Sequence, residues 1–156
     1  MKYWLMKSEP NVFSIDDLRQ CPQQTESWDG VRNYQARNYM RDEMSRGDMV
    51  LFYHSRISPS IAGLAEIVQT AHPDPTSWNP SSPYFDPKST PDQPRWFMVD
   101  VRFREKFKNP LSLDYLKTIP ELQPMMLLRK GSRLSIQPVT MEEYTIILDL
   151  AHSSSL

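Results

Sequence analysis

A single cysteine, Cys21, stands in this chain of 156 residues, and there are only four glycines. The lone thiol excludes an intramolecular disulfide and a thiolate cluster for zinc, and it fits a reducing compartment. A proline follows it and no histidine is near it in sequence, so it reads as incidental, not as a nucleophile. The glycines are scattered, which leaves no phosphate-cradling or dinucleotide-binding loop and no G-x-S-x-G elbow. No two of His54, His72 and His152 have the spacing of a metal site. No apolar run approaches the length of a membrane span, and MKYWLMKSEP is too short and too polar beyond Met6 for a signal peptide. Net charge is only -1, so no global field announces a nucleic-acid partner. These absences lead to the expectation of a cytoplasmic monomer without metal, cofactor or membrane contact.

What is present is concentrated. Residues 100–133 hold eight Lys/Arg against four acids, a one-sided patch that fits either a polyanion or a solvated strand edge. Residues 73–94 hold half of the 14 prolines, with Trp78, Tyr84 and Phe85 among them. A connection that long without regular structure is more often functional or mobile than filler. The stretch SWDGVRNYQARNYMR, Ser27 to Arg41, combines a tryptophan, a turn, amides and arginines. Asp29-Gly30 is a turn signal, and Asp29 is a candidate cap for a helix with Val31 and Arg32 in its first turn. Ala36, Tyr39, Met40 and Met44 then recur at helical spacing as a buried stripe. Such a segment can hold a base and its phosphate, and it can equally be a core tryptophan beneath a surface helix.

Alternation and turn residues divide the rest. Strands are expected at Tyr3–Lys7, Met49–Ser55, Ile61–Ala71, Trp96–Phe107 and Leu134–Val139. In the second, Val50, Phe52 and His54 share one face and Leu51, Tyr53 and Ser55 the other. Gly63 marks a bulge or a close backbone approach. Ser14 with Asp17, and Thr140 with Glu143, have capping-box spacing for a short helix and for a last helix over Met141–Leu150. Short helices are also expected at Ser112–Leu116 and near Met125–Leu128. The tally is one α+β domain over 1–151, a small, curved, largely antiparallel sheet or open barrel flanked by short helices, followed by a disordered tail at 152–156.

In order, MKYWLMKSEP, FSIDDL, WDGVRNYQARNYMR, GDMVLFYHS, IAGLAEI, PYFDPKS, RWFMVDVRF and GSRLSIQPV resemble the successive signatures of the EVE domain, over roughly Lys2 to Leu150. The resemblance implies a PUA-like fold related to YTH and ASCH domains, of the kind found in bacterial proteins. It also implies a reader of modified bases in DNA or RNA, methylated cytosine among them, without catalysis. Carried over by position, Ser8, Glu9, Trp28, Asn33, Tyr53, His54, Ser55 and Tyr84 would form the base pocket: Trp28 and Tyr84 as walls, Tyr53, His54 and Ser55 as floor. Arg32, Arg37, Arg133 and Ser135 would face phosphates. Two other readings stay open. One is an ASCH-like hydrolase of modified nucleosides using Lys7 and Glu9; the other is a protein-interaction module built on the proline-rich loop.

Overall fold

Strand alternation sets the frame. The structure, a computed structural model, describes residues 1–153. Six strands, β1 (Tyr3–Ser8), β2 (Thr25–Ser27), β3 (Met49–His54), β4 (Ser60–Pro73), β5 (Phe97–Ser112) and β6 (Ile136–Val139), form one sheet in the order β2-β5-β4-β3-β1-β6. β1 and β3 run parallel, with Tyr3 opposite Met49 and Ser8 opposite His54; the other pairings are antiparallel. Helices α1 (Ile15–Gln20), α2 (Tyr34–Asn38, widening into a π-turn over Tyr39–Glu43), α3 (Leu113–Leu116) and α4 (Met141–Ser153) flank it. The expected α+β architecture, a small and largely antiparallel open sheet with short helices, is the one observed.

Both faces of the sheet are buried, and period-two alternation sorts each strand between them. Trp4, Met6, Val50, Phe52, Val99 and Val101 join Trp28 and the α2 stripe on one side. Leu5, Leu51, Tyr53, Phe107 and Leu111 join α4 through Tyr144 and Ile147 on the other. Gly63 is where β4 shifts register against both neighbours, and a Cβ there would run into the Glu105 carbonyl oxygen. Both capping boxes form: Asp17 N donates to Ser14 Oγ (3.1 Å) and Glu143 N to Thr140 Oγ1 (3.1 Å), each returned by the carboxylate.

Two expectations change and one strand is added. Asn33, not Asp29, caps α2, because residues 29–33 are extended and turn-like and the helix begins only at Tyr34. The short edge strand β2, which has no apolar alternation to announce it, pairs with β5. α4 continues through His152 and Ser153, so the tail expected from 152 does not begin there, and residues 154–156 lie outside the described residues. The proline-rich connection is tied down: Asp86 N donates to Ser77 O (2.7 Å), the Ser77 and Ser89 hydroxyls share a hydrogen bond (2.9 Å), and Trp96 Nε1 donates to Asp86 Oδ2 (2.8 Å). Among the described residues no helix is long and apolar enough to cross a membrane.

Candidate functional site

Because β1 and β3 are parallel, their C-terminal ends coincide, and antiparallel β6 begins beside them. Ser55 N donates to Ser8 O (2.9 Å) and Lys7 N to Ser135 O (2.8 Å). A cavity of about 490 Å³, open to solvent, lies at this end of the sheet. Its volume falls within the roughly 300–1,000 Å³ usual for small-ligand sites. The end of β1 supplies Lys7, Ser8 and Glu9; the next turn supplies Val12 and Phe13; residues 26–32 form one side; Tyr84 and Ser135 reach in from their loops.

The Trp28 segment is held by the backbone on one side and by a buried acid on the other. Trp28 N donates to Val99 O (2.8 Å), and its ring meets Phe52 (5.5 Å) and Phe13 (6.3 Å) edge-to-face, which leaves the residue 9% exposed. Gly30 then turns with φ +79°, a conformation that costs an L side chain strain. The Tyr84 ring packs so closely on it that a Cβ would sit 2.8 Å from Tyr84 Cζ. Asp74, fully buried, accepts from Gly30 N (2.9 Å), Arg32 Nη1 (3.1 Å), Thr76 N (2.9 Å) and Thr76 Oγ1 (2.6 Å). Burial alone would raise its pKa; the hydrogen bonds from Thr76, Gly30 and Arg32 outweigh that and hold it below the usual carboxylate value. Arg32 also donates to Tyr84 O (2.9 Å), Val31 O (2.8 Å) and Thr76 Oγ1 (3.0 Å), with its guanidinium over the Tyr84 and Trp96 rings. Asp74 and Arg32 thus clamp the long loop onto the turn after Trp28, and this clamp fixes Tyr84 at the cavity.

The cavity is chemically mixed. Ser8 Oγ donates to Phe13 O (2.6 Å), and Glu9 Oε1 accepts from Arg56 Nε (2.8 Å) across an exposed ion pair. Burial lowers the Lys7 pKa, and its amine lies 5.8 Å from the Tyr53 ring centroid. Burial, and then the charges of Asp74 and Glu26, raise the Asp29 pKa. The walls therefore offer aromatic surface and carboxylate acceptors, while the Lys7 amine lies on the Tyr53 side of the sheet. Among the described residues no group of three His, Cys, Asp or Glu side chains is arranged to hold a metal.

Ser8, Glu9, Trp28, Tyr84, Arg32 and Ser135 line the cavity; the other sequence-derived site residues do not. Asn33 is the α2 cap, its Oδ1 accepting from Ala36 N (2.9 Å). Tyr53 faces the opposite core, 3% exposed, with burial pushing its pKa up to about 12. His54 Nε2 accepts from Ile15 N (3.1 Å) at the start of α1, and burial lowers its pKa, so it acts as a neutral structural acceptor. Ser55 contributes its backbone N–H to Ser8. The floor assigned to Tyr53, His54 and Ser55 is thus corrected: alternation sends Tyr53 through the sheet, and Val12 and Phe13 line the cavity where those three do not. Arg37 does not line the cavity; it donates to Arg95 O (3.0 Å) and Asn38 Oδ1 (2.8 Å) and stacks over Tyr34 (4.7 Å). Arg32 has four donations inside the protein, which makes it a clamp more than a phosphate contact. Arg133 lies exposed on the 129–133 turn leading to Ser135, together with Arg129 and Lys130. Farther along the basic run, Arg104 and Lys106 are paired with Glu66 (3.4 Å) and Asp16 (2.9 Å). Sequence reasoning missed Asp74, although Asp74-Pro75-Thr76 carries the signal of a cap, an acid before a proline at the first position of a short 3₁₀ turn.

Comparison with known proteins places these features in a family. Mouse thymocyte nuclear protein 1 is 46% identical over 166 aligned residues, covering 95% of this chain and 73% of its own length. A solved Pseudomonas syringae protein superposes with a TM-score of 0.90 at 51% identity, covering 96% of this chain and 99% of that one. Human thymocyte nuclear protein 1, solved in complex with 5-methylcytosine-containing DNA, gives a TM-score of 0.89 at 44% identity, covering 97% and 98%. The EVE domain matches residues 2–150, and with the order of motifs and this PUA-like sheet the chain belongs to the EVE domain family.

Proposed function

We propose that the cavity at the end of β1 receives one modified base extruded from DNA, methylated cytosine being the leading candidate, and holds it without chemical change. The observation that carries this reading is a solvent-open space of about 490 Å³ with Trp28 and Tyr84 both on its lining. The human relative's complex with methylcytosine DNA supports it. Extruding a base costs a few kcal/mol, and each aromatic stack returns about 1–3 kcal/mol. Burying the methyl group adds only about 0.8 kcal/mol, so preference for the mark is modest unless water is tightly excluded. Glu9 and Asp29 are acceptors suited to the exocyclic amine of cytosine, and the Arg129–Arg133 turn beside Ser135 faces the backbone.

The experiment is a titration of wild type and Tyr84→Ala with an oligonucleotide carrying one 5-methylcytosine and with its unmodified twin. Wild type should favour the modified strand, and the variant should lose about five- to hundredfold in affinity while its melting temperature holds. Equal affinity of wild type and variant would overturn the assignment. Tyr84 serves better than Trp28 here, because Trp28 is also core and its removal unfolds as well as unbinds.

A second reading is a small hydrolase of modified nucleosides using Lys7 and Glu9, which both border the cavity at the end of β1, although the Lys7 amine itself lies over the Tyr53 ring. Turnover of N-acylated cytidine that disappears in Glu9→Gln would favour it over the reader.

A further inference from the structure

The turn joining β3 to β4 has a conformation that its sequence does not favour. Arg56 (φ +75°) and Ser58 (φ +47°) both sit in the left-handed region without being glycine, and between them Ile57 is 73% exposed. Strain of this kind gathers where a segment has a task. The position is fixed by topology. Ser55 N is bonded to Ser8 O, and Arg56 is paired with the cavity residue Glu9, so the turn stands at the rim of the cavity. The basic Arg129–Arg133 turn stands at the other flank of β1, since β6 and β3 are its two neighbours in the sheet.

We propose that Ile57 is a wedge: it enters the duplex at the step vacated by the base that the cavity receives. This rests on the reader assignment above. Ile57 is an aliphatic side chain held largely in water between two strained neighbours, an arrangement that burial in the core does not explain. Apolar side chains inserted between base steps are a recurring device for unstacking and kinking DNA. The vacated step offers the apolar surface that such a side chain needs, and Arg56 beside it can meet the flanking phosphate. The ion pair that Arg56 makes with Glu9 is exposed and cheap to exchange, which would leave the carboxylate free for the base.

The test compares wild type, Ile57→Ala and Ile57→Leu on three probes: a duplex with one 5-methylcytosine, the same strand alone, and the duplex with an abasic site opposite the modified base. Ile57→Ala should bind the duplex at least tenfold more weakly, bind the single strand within twofold of wild type, and recover on the abasic probe. Ile57→Leu should keep duplex affinity. A 2-aminopurine beside the modified base should brighten with wild type and stay dim with Ile57→Ala. If wild type binds both forms and Ile57→Ala matches it on the duplex, or loses duplex and single strand equally, the wedge is refuted and the reader stands. Wild type failing on every probe would remove both.

Discussion

Replacing Asp74 by alanine should loosen the protein and the cavity together. Asp74 is fully buried and accepts four hydrogen bonds, from Gly30, Arg32 and twice from Thr76. Removing one member of a buried ion pair costs about 3–5 kcal/mol, because the partner charge is left without compensation. Arg32, with its side chain 22% exposed, keeps some water, which sets the lower half of that range as the expectation. For a chain of this length each kcal/mol moves the melting temperature by roughly 2–4 °C, so a fall of about 6–16 °C follows. Urea unfolding followed by tryptophan fluorescence reads the loss directly. Asp74→Asn keeps an acceptor and the shape, and should lose clearly less. The pH profile provides a second check. The folded pKa of Asp74 is depressed, so its contribution is present above the unfolded value, near 4, and drains away as pH falls through the still lower folded value. A loss under about 1 kcal/mol at pH 7, or equal losses for the alanine and asparagine variants, would refute the clamp.

Gly30→Ala should destabilise by about 1–3 kcal/mol and displace Tyr84, since φ is +79° and the new methyl would lie 2.8 Å from its ring; a crystal structure of the variant with Tyr84 unmoved would count against this. Asp29→Asn should raise stability at pH 7. The folded pKa of Asp29 is raised, so its charged form disfavours folding; the gain should shrink as pH falls towards about 4, and thermal melts at both pH values check the sign. Glu9→Gln should leave the melting temperature nearly unchanged, because its pair with Arg56 is exposed, while weakening oligonucleotide binding in a filter or anisotropy assay. Equal binding by this variant would move amine recognition to Asp29.

Alternation made the sheet legible. Val50 and Phe52 against Leu51 and Tyr53 is a pattern that only a strand buried on both faces satisfies, and both capping boxes could be read at sight. The same alternation, applied to the site, would have removed Tyr53 from the pocket, because it shares a face with Leu51 and not with Phe52. Family position put it there instead. β2 was not legible since Thr25–Ser27 becomes a strand only by lying against Asp100–Arg102. Asn33 and Arg37 look like recognition residues by type, but a cap and a cation on an aromatic ring use the same side chains. Asp74 escaped notice because the partners it fastens across the fold, Arg32 and Gly30, are 42 and 44 residues away, and nothing in a proline-rich stretch states which segment it will fasten.

The first strand lies between β3 and β6, so it borders on segments made about a third of the way along the chain and near its end. A ribosome would release β1 long before β6 exists, leaving one edge of Trp4–Leu5–Met6 open until β6 emerges. Exposed apolar edges of this kind recruit other chains. Contacts so distant also make folding slow. Expression yield should therefore respond to chaperone supply and to translation speed more than the stability of the finished protein suggests. A circular permutant opened in the 129–133 turn, so that β6 and α4 are made before β1, should fold faster than the natural order.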